Sequence, residues 1–251
     1  RDNPYFIGVQ TGLSLADQRN VIESGRRDFR LTHELEFEAF GGRHDVALGH
    51  VRQGSDYLRR ENGETLLDSS ARRSGELDGR ASWAEGVFRL GGGVSVNAGL
   101  RRDRAESRSE GRRYSRTCQY VFIPFPVVVP GSCVDAFRLT DAQASVWRNR
   151  ASELGVSWQL AEALTAFVSE SRHFRNPNID ELALAAPDLR PQRGRTREAG
   201  LRARTDTVEF GATVYRMRIE DEIYFDSASG LSVNRNYALP TVRTGVELEL
   251  R

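Results

Sequence analysis

Apolar and polar residues alternate along most of this chain, and the clearest example is the segment 194–219. Every second residue of 199–203 is apolar, and so is every second residue of 208–214. Side chains of successive strand residues point to opposite faces. The segment therefore predicts two strands joined by a polar turn at 205–207, each with one continuous apolar face and one polar face.

Short turns and long connections follow each other in strict order along the chain. The predicted short turns are Gly41-Gly42-Arg43, Gly91-Gly92-Gly93, Leu160-Ala161-Glu162 and Thr205-Asp206-Thr207, and the long connections cover about 58–77, 108–146, 174–193 and 219–240. A compact soluble domain rarely carries several loops of this length, and a soluble sandwich has short turns at both ends. A transmembrane barrel has short turns at one rim and long extracellular loops at the other. The asymmetry favours the barrel.

The predicted fold is all-β: an antiparallel, up-and-down transmembrane β-barrel segment of about ten strands. This count takes Tyr5–Leu15 as the first strand. Apolar residues would face lipid, and Glu, Arg, Ser and Thr would face the lumen. Helical periodicity is poor except over Ile179–Ala186, which could form one or two helical turns in a loop. No stretch approaches the roughly 18 consecutive apolar residues of a transmembrane helix.

Both ends of the sequence look like cuts. Arg1–Pro4 lacks the apolar region of a secretory signal, and the other end stops inside the alternating run Val246–Arg251. An open barrel segment would leave two unpaired edges, which is unfavourable in lipid and in water. We therefore expect residues 1–251 to be an internal piece of a barrel domain, with the remaining strands outside this sequence.

All basic residues of the chain are arginines, although the formal net charge is only +1. Two interpretations of this composition are open: codon bias, or selection for guanidinium groups, which bind phosphate and carboxylate groups bidentately. The arginines cluster near predicted extracellular strand ends, at Arg101, Arg102 and Arg104, at Arg112, Arg113 and Arg116, and at Arg193, Arg195 and Arg197. Three interpretations stay open: solvated loops, pairing with lipopolysaccharide phosphates, or attraction of an anionic ligand into the lumen. Nucleic-acid binding is not predicted, because stacking aromatics and recognised modules are missing.

Two cysteines, Cys118 and Cys133, bracket one irregular segment. With no histidine beside them and no CxxC spacing, a disulfide is favoured over a metal site. Between them lies the apolar run Tyr120–Pro130, whose prolines argue against a central strand. This run either folds inward, where Tyr120, Phe122 and Phe125 would contact a hydrophobic ligand, or packs on its own neighbours.

The second half of the chain resembles the barrel of TonB-dependent outer-membrane receptors. The family's boxes are matched in order by Phe174-Arg175-Asn176-Pro177, Glu181-Leu182, Ala186-Pro187-Asp188-Leu189-Arg190-Pro191, Glu198-Ala199-Gly200-Leu201, the set Ala212, Tyr215, Arg216, Ile219, Asp221 and Ile223, and finally Arg243, Gly245, Val246, Glu247, Leu248 and Glu249. The ordered match covers residues 173–251. The residues before 173 agree with the family in their alternation of short turns and long connections.

The resemblance implies a 22-stranded barrel, an N-terminal plug that contacts the TonB complex, and active uptake of a scarce ligand. A ferric siderophore is the first expectation, with haem and cobalamin as alternative cargoes. Haem-uptake members carry a histidine between the motif matched here by Phe174–Pro177 and the motif matched by Ala186–Pro191. Residues 178–185 contain no histidine, and His173 precedes the first of these motifs. Imidazole can coordinate iron, so His173 stays a candidate ligand residue together with Arg175 of the first box.

Enzymatic activity, cofactors and metal sites are not predicted. Carboxylates do share strand faces, at Glu34, Glu36 and Glu38 and again at Glu247 and Glu249. A glycosidase could use two of them as acid and base, but a row of lumen-facing carboxylates is the simpler interpretation. No nucleophile motif or Ser-His-Asp order accompanies them. The alternatives to the receptor are a passive porin-like or adhesin barrel and, third, an outer-membrane enzyme.

Overall fold

The structure is a computed structural model that describes residues 9–11, 14–16, 18–63, 69–117, 119–123, 125–132, 134–183, 185–186, 188–226 and 233–251. Cys118 and Cys133 lie outside these residues, so the disulfide stays a prediction. Part of the predicted first strand, Tyr5–Leu15, also lies outside them. None of the helices in the described ranges is long and apolar enough to cross a membrane.

Antiparallel strands make up almost all of the described chain. In chain order they are β1 (Val9–Thr11), β2 (Ser14–Ala16), β3 (Gln18–Ala39), β4 (Gly42–Gly63), β5 (Ser69–Leu90), β6 (Val94–Thr117), β7 (Tyr120–Ile123), β8 (Phe125–Val128), β9 (Val134–Ala161), β10 (Leu164–Arg175), β11 (Gln192–Arg204), β12 (Glu209–Glu220), β13 (Ile223–Asp226), β14 (Val233–Asn236) and β15 (Thr241–Leu250). A single short helix of the described residues, α1 (Ile179–Ala183), lies between β10 and β11.

Nine of these strands form one sheet in the order β15-β12-β11-β10-β9-β6-β5-β4-β3. Each strand pairs with the sheet strands that come before and after it in sequence, which confirms the up-and-down topology. The other described strands form three small hairpins, β1 with β2, β7 with β8, and β13 with β14. Among the described residues, the main sheet therefore has nine strands where the sequence predicts about ten. The described part of the predicted first strand instead forms the separate pair Val9↔Ala16 to Thr11↔Ser14, because alternation does not distinguish one strand from two short ones.

All four predicted short turns are present, within two residues of the predicted positions. Between β3 and β4 the turn consists of Phe40 and Gly41, whose φ angles are 51° and 72°. Two consecutive residues with positive φ define the hairpin turn whose twist matches that of the flanking strands. Gly92 and Gly93, with φ near 74° and 75°, serve the turn between β5 and β6.

The first two predicted long loops are mostly strand. β4 continues to Gly63 before β5 starts at Ser69, and β6 continues to Thr117 before β9 starts at Val134. Beyond the apolar band both faces of the sheet carry polar residues, so the period-2 signal disappears while the backbone ladder continues. The other two long connections are as predicted, and the expected helical turns of Ile179–Ala186 are confirmed over Ile179–Ala183.

The two faces of the main sheet differ in character. On one face, here called the apolar face, large apolar side chains are exposed, and Leu100, Val168 and Val246 are 68%, 56% and 66% exposed. The opposite, polar face holds the buried small residues Ala81 and Ala105. A soluble domain would bury its apolar face. In this protein Ala81 and Ala105 are buried instead on the polar face, against which the connection between β10 and β11 packs.

Candidate functional site

The connection between β10 and β11 folds over the polar face of the sheet. This α1 loop, residues 176–191, reaches strands that lie well away from its own strands in the sheet order. The carboxylate of Asp180 accepts hydrogen bonds from Arg59 of β4 at 3.2 Å and from Arg73 of β5 at 3.1 Å. One acidic side chain therefore ties the loop to two strands of a distant part of the wall.

Local hydrogen bonds explain why the helix starts where it does. The Asn178 side chain accepts from the N–H of Glu181 at 2.7 Å, and the Glu181 carboxylate accepts from the N–H of Asn178 at 2.8 Å. This reciprocal arrangement is a capping box. Arg175, the last residue of β10, donates to both oxygens of Glu181 at 2.8 and 3.0 Å and also bonds to Gln192, the first residue of β11. Arg175 thus clamps the base of the α1 loop.

Two asparagines of β14 join the β13–β14 hairpin to the same loop. The side-chain amide of Asn234 donates to the main-chain carbonyl of Glu181 at 2.9 Å. The main-chain carbonyl of Asn234 accepts from the N–H of Ala186, also at 2.9 Å. The Asn236 side chain accepts from the N–H of Arg190 at 2.8 Å and donates to the carbonyl of Asp221 at 2.6 Å. Side-chain amides therefore satisfy main-chain groups of the loop, one main-chain bond adds to them, and loop and hairpin form one unit.

A small apolar cluster sits beneath this unit. Leu182, Ala185 and Leu189 are buried together, with Trp147 of β9 and Ile223 of β13 packed against them. Burying a leucine side chain contributes about 1.5–3 kcal/mol. The cluster therefore holds the α1 loop in place alongside the ion pairs.

Tyr57 of β4 lies beside the contact between Asp180 and the two arginines. Burial raises the pKa of its phenol, and the nearby negative charge of Asp180 raises it further. The Asp180 side chain is 37% exposed, while those of Arg59 and Arg73 are 25% and 16% exposed. Arg59 and Arg73 are thus two partly buried guanidinium ions, and the anion that they share is the carboxylate of Asp180.

Charge on the polar face differs between its two ends. Towards the short turns, carboxylates from several strands line a cavity, among them Glu34, Glu36, Asp45, Glu85 and Glu153. Towards the long connections the cationic side chains Arg59, Arg73 and Arg175 surround the α1 loop. In the described contacts of the loop, the three arginines exceed the two carboxylates that pair with them, Asp180 and Glu181. At the turn end, Glu36 and Asp45 pair with Arg43 and Arg89, which leaves an excess of carboxylates among the described residues of that cavity. An anionic molecule would therefore be attracted to the loop end and repelled further in.

The predicted site residues fall into two groups. Arg112, Arg113 and Arg116 lie on β6 opposite residues 139, 138 and 135 of β9, and Tyr120, Phe122 and Phe125 lie on the β7–β8 hairpin that follows. These six belong to the tip of the long β6–β9 hairpin. His173 and Arg175 belong instead to the base of the α1 loop, on the polar face of β10.

His173 is exposed and lies opposite Gly194 of β11. A Cβ on Gly194 would lie 2.0 Å from the imidazole Nε2, so the glycine makes room for the ring. In the part of the chain that the structure describes, no group of three or more His, Cys, Asp or Glu side chains is placed to hold a metal ion.

Sequence reasoning missed Tyr57, Arg59, Arg73 and the role of Asp180. Asp180 is separated from Arg59 by 121 residues and from Arg73 by 107. No spacing rule links such positions, and Arg59 and Arg73 stand among many other arginines. The predicted helix is a useful signal, because an acidic first turn that packs against an arginine-rich sheet can form ion pairs with it.

Taken together, the open antiparallel meander, the exposed apolar face and the inward-folded loop define the wall of a membrane barrel. The sequence model of the family described as TonB dependent receptor-like, beta-barrel, matches residues 2–251. The chain belongs to this family, whose members are outer-membrane receptors and transporters. This confirms the resemblance and the predicted fold class. No protein with a curated function matches the chain.

Solved structures show the same fold at low sequence identity. The ferric yersiniabactin uptake receptor FyuA from Yersinia pestis has a TM-score of 0.66 at 14% identity, with 94% of this chain and 33% of that chain covered. The alcaligin outer-membrane receptor FauA from Bordetella pertussis has a TM-score of 0.58 at 16% identity, with 94% and 36% covered. The hemophore receptor HasR from Serratia marcescens, solved with its hemophore HasA and heme, has a TM-score of 0.54 at 14% identity, with 94% and 48% covered. The chain spans a third to a half of the length of these structures.

Proposed function

We propose that residues 1–251 are part of the barrel domain of a multi-pass receptor in the bacterial outer membrane, which takes up a scarce ligand in a TonB-dependent manner. The leading candidate for the ligand is a ferric siderophore. The plug, the remaining strands and the contact with the TonB complex would come from segments outside this sequence. Membership of the family supports the class of protein, and the α1 loop supports the mode of transport.

The observation that favours gated uptake is the α1 loop held across the polar face. A passive porin needs an open lumen, whereas this loop is tied to β4 and β5 through Asp180 and packed on an apolar cluster. An adhesin has no need of a loop that folds inward. A receptor that binds a ligand from outside and passes it inward uses such a loop to close over the bound ligand.

The ligand chemistry that fits the loop end is anionic and rich in oxygen donors. Guanidinium groups and a phenol recognise carboxylate, catecholate and hydroxamate oxygens through charge-assisted hydrogen bonds. Two receptors that share the fold are named for ferric yersiniabactin and alcaligin. We assign Arg112, Arg113, Arg116, Tyr120, Phe122 and Phe125 to the first, outer contact, and His173 and Arg175 to the inner contact. A disulfide between Cys118 and Cys133 would close the outer loop.

Haem is the second candidate cargo, because His173 is exposed on the polar face and one receptor with this fold was solved with hemophore and heme. The two cargoes differ in their dependence on this residue. Removal of the imidazole would abolish axial ligation of haem iron but would leave recognition of a siderophore largely intact.

Uptake by cells that express the intact receptor, and lack their other iron receptors, tests the proposal. We expect accumulation of radioactive iron from a ferric siderophore and loss of that accumulation when TonB is deleted. Uptake that persists without TonB would make the protein a passive barrel. Uptake of haem alone, abolished by His173→Ala and unaffected by His33→Ala as the matched control, would assign haem as the cargo instead.

A further inference from the structure

Arg59 and Arg73 stand directly opposite each other on β4 and β5, on the polar face of the wall. Directly opposed like charges destabilise a sheet. The two side chains are only 25% and 16% exposed, so each guanidinium group has lost much of its hydration and needs an anion nearby. The wall therefore requires a negative charge at this position.

The anion at this position is the carboxylate of Asp180. Its Oδ2 accepts a hydrogen bond from Nη1 of Arg59 at 3.2 Å, and its Oδ1 accepts one from Nη1 of Arg73 at 3.1 Å. The phenol of Tyr57 forms hydrogen bonds to both Arg59 and Asp180. Three side chains of the wall thus converge on the two neighbouring oxygens of one group, which is the arrangement of a site for a bidentate anion.

The carboxylate of this contact is not part of the wall, unlike those of two ion pairs elsewhere on the sheet. Glu170 of β10 pairs with Arg197 of β11 at 2.9 Å, and Asp103 of β6 pairs with Arg101 of the same strand at 3.0 Å. Such carboxylates move only with their strands. Asp180 belongs to the α1 loop, so it can leave the two arginines while the strands stay paired.

Asp180 is also more open to solvent than either arginine of the contact. Its side chain is 37% exposed, about twice the exposure of Arg73. A dissolved anion therefore approaches the guanidinium groups from the side on which the carboxylate lies. The dissolved anion and Asp180 would then need the same hydrogen-bond donors, and only one of them can hold these donors at a time.

We propose that Arg59, Arg73 and Tyr57 form a binding site for an anionic group with two neighbouring oxygens, and that Asp180 occupies this site until such a group displaces it. Carboxylate, catecholate and hydroxamate groups carry this pair of oxygens. The inference rests on the proposed function, because it names the ligand class and adds an inner contact for it. Displacement removes the ionic tie between the α1 loop and the two strands, while Arg175 still clamps the base of the loop.

Calorimetric titration of the intact receptor with citrate, in detergent micelles, tests this site without iron and without TonB. Asp180→Asn removes the internal competitor, so citrate should bind about tenfold more tightly. Asp188→Asn is the matched control, because Asp188 is an exposed carboxylate of the same loop, and its removal should leave the affinity unchanged. Trimethyl citrate, the uncharged ester, should not bind.

Removal of the two guanidinium groups should have the opposite effect. Arg59→Gln combined with Arg73→Gln should weaken citrate binding about tenfold or more, because charge-assisted hydrogen bonds are lost. Arg60→Gln combined with Arg72→Gln is the control, since these residues are the next facing pair of the same strands and lie on the other face. Saturating citrate should also speed hydrogen exchange over residues 176–191 in the unmodified protein, but not in the variant without Arg59 and Arg73.

An unchanged affinity in Asp180→Asn would overturn the proposal, and so would an equal gain in Asp188→Asn, which would reflect only the charge of the loop. Absence of citrate binding in both the unmodified protein and Asp180→Asn would overturn it as well. If the variant without Arg59 and Arg73 does not reach the membrane, the two aspartate variants decide the question alone.

These outcomes are distinguishable from a failure of the proposed function. TonB-dependent uptake of a siderophore could persist although citrate and Asp180 do not compete, and only the anion site would then be wrong. Conversely, citrate could compete with Asp180 in a barrel whose uptake does not depend on TonB, and only the proposed function would then be wrong.

Discussion

At the scale of single residues, the most enclosed polar side chain in the described part of the chain is His44, near the start of β4. Its relative exposure is 1%, and its ring packs against Phe37 and Phe88. Nε2 donates to the carbonyl of Ala39 at 2.7 Å, and Nδ1 accepts from the N–H of Arg89 at 3.2 Å. Both nitrogens are used, one as donor and one as acceptor, which describes a neutral imidazole that fastens the turn to the next strand.

His44→Ala should therefore destabilise the folded protein by about 2–4 kcal/mol, because it leaves a cavity and an unpaired N–H group. Urea unfolding of the intact protein in lipid vesicles measures the change. His33→Ala is the control, since His33 is exposed on the apolar face of β3, and its effect should stay within about 0.5 kcal/mol. Equal losses in both variants would show that the buried contacts of His44 contribute nothing specific.

At the scale of elements, α1 packs against a position of β5 that carries no side chain, Gly75. A Cβ at Gly75 of β5 would lie 2.5 Å from Cγ2 of Ile179 and 2.7 Å from the carbonyl oxygen of Arg108. The buried Ser107 and Ser109 of β6 are also small, with exposures of 3% and 4%. This part of the polar face is shaped to receive the helix.

Gly75→Ala should displace the α1 loop, because overpacking against a backbone carbonyl costs about 1–3 kcal/mol. Opening of the loop should then become about tenfold more frequent, as measured by hydrogen exchange over residues 176–191. Gly79→Ala is the matched control: Gly79 lies on the same face of the same strand, and a Cβ there would meet nothing within 4 Å. An unchanged exchange rate in Gly75→Ala would show that the helix is held without this close approach.

The elements also show where sequence patterns stop being informative. Alternation located each short turn, since apolar residues mark the half of each strand that contacts lipid. It did not show that β4, β5, β6 and β9 continue far beyond the apolar band. Water on both faces removes the selection for alternation, although the backbone hydrogen bonds persist.

At the scale of the whole molecule, the apolar face must meet lipid and the polar face must meet water. Val214 and Thr213 of β12 are neighbours on opposite faces, and Val214 is 54% exposed. A spin label at Val214 should be more accessible to oxygen, which concentrates in the bilayer, and a label at Thr213 more accessible to a water-soluble nickel chelate. Electron paramagnetic resonance of the intact protein in vesicles makes the comparison. A label at Val214 that reports water would reverse the two faces.

The sequence by itself determined the lipid-facing part of the strands, their two faces, the short turns and the family. Each of these rests on local periodicity or on short motifs, which neighbouring residues encode directly. Only the tertiary structure decided that nine of the described strands form one sheet, how far β4, β5, β6 and β9 extend, and that Asp180 reaches Arg59 and Arg73. Strand register and contacts over more than a hundred residues depend on how all the strands pair at once, and no local pattern records that choice.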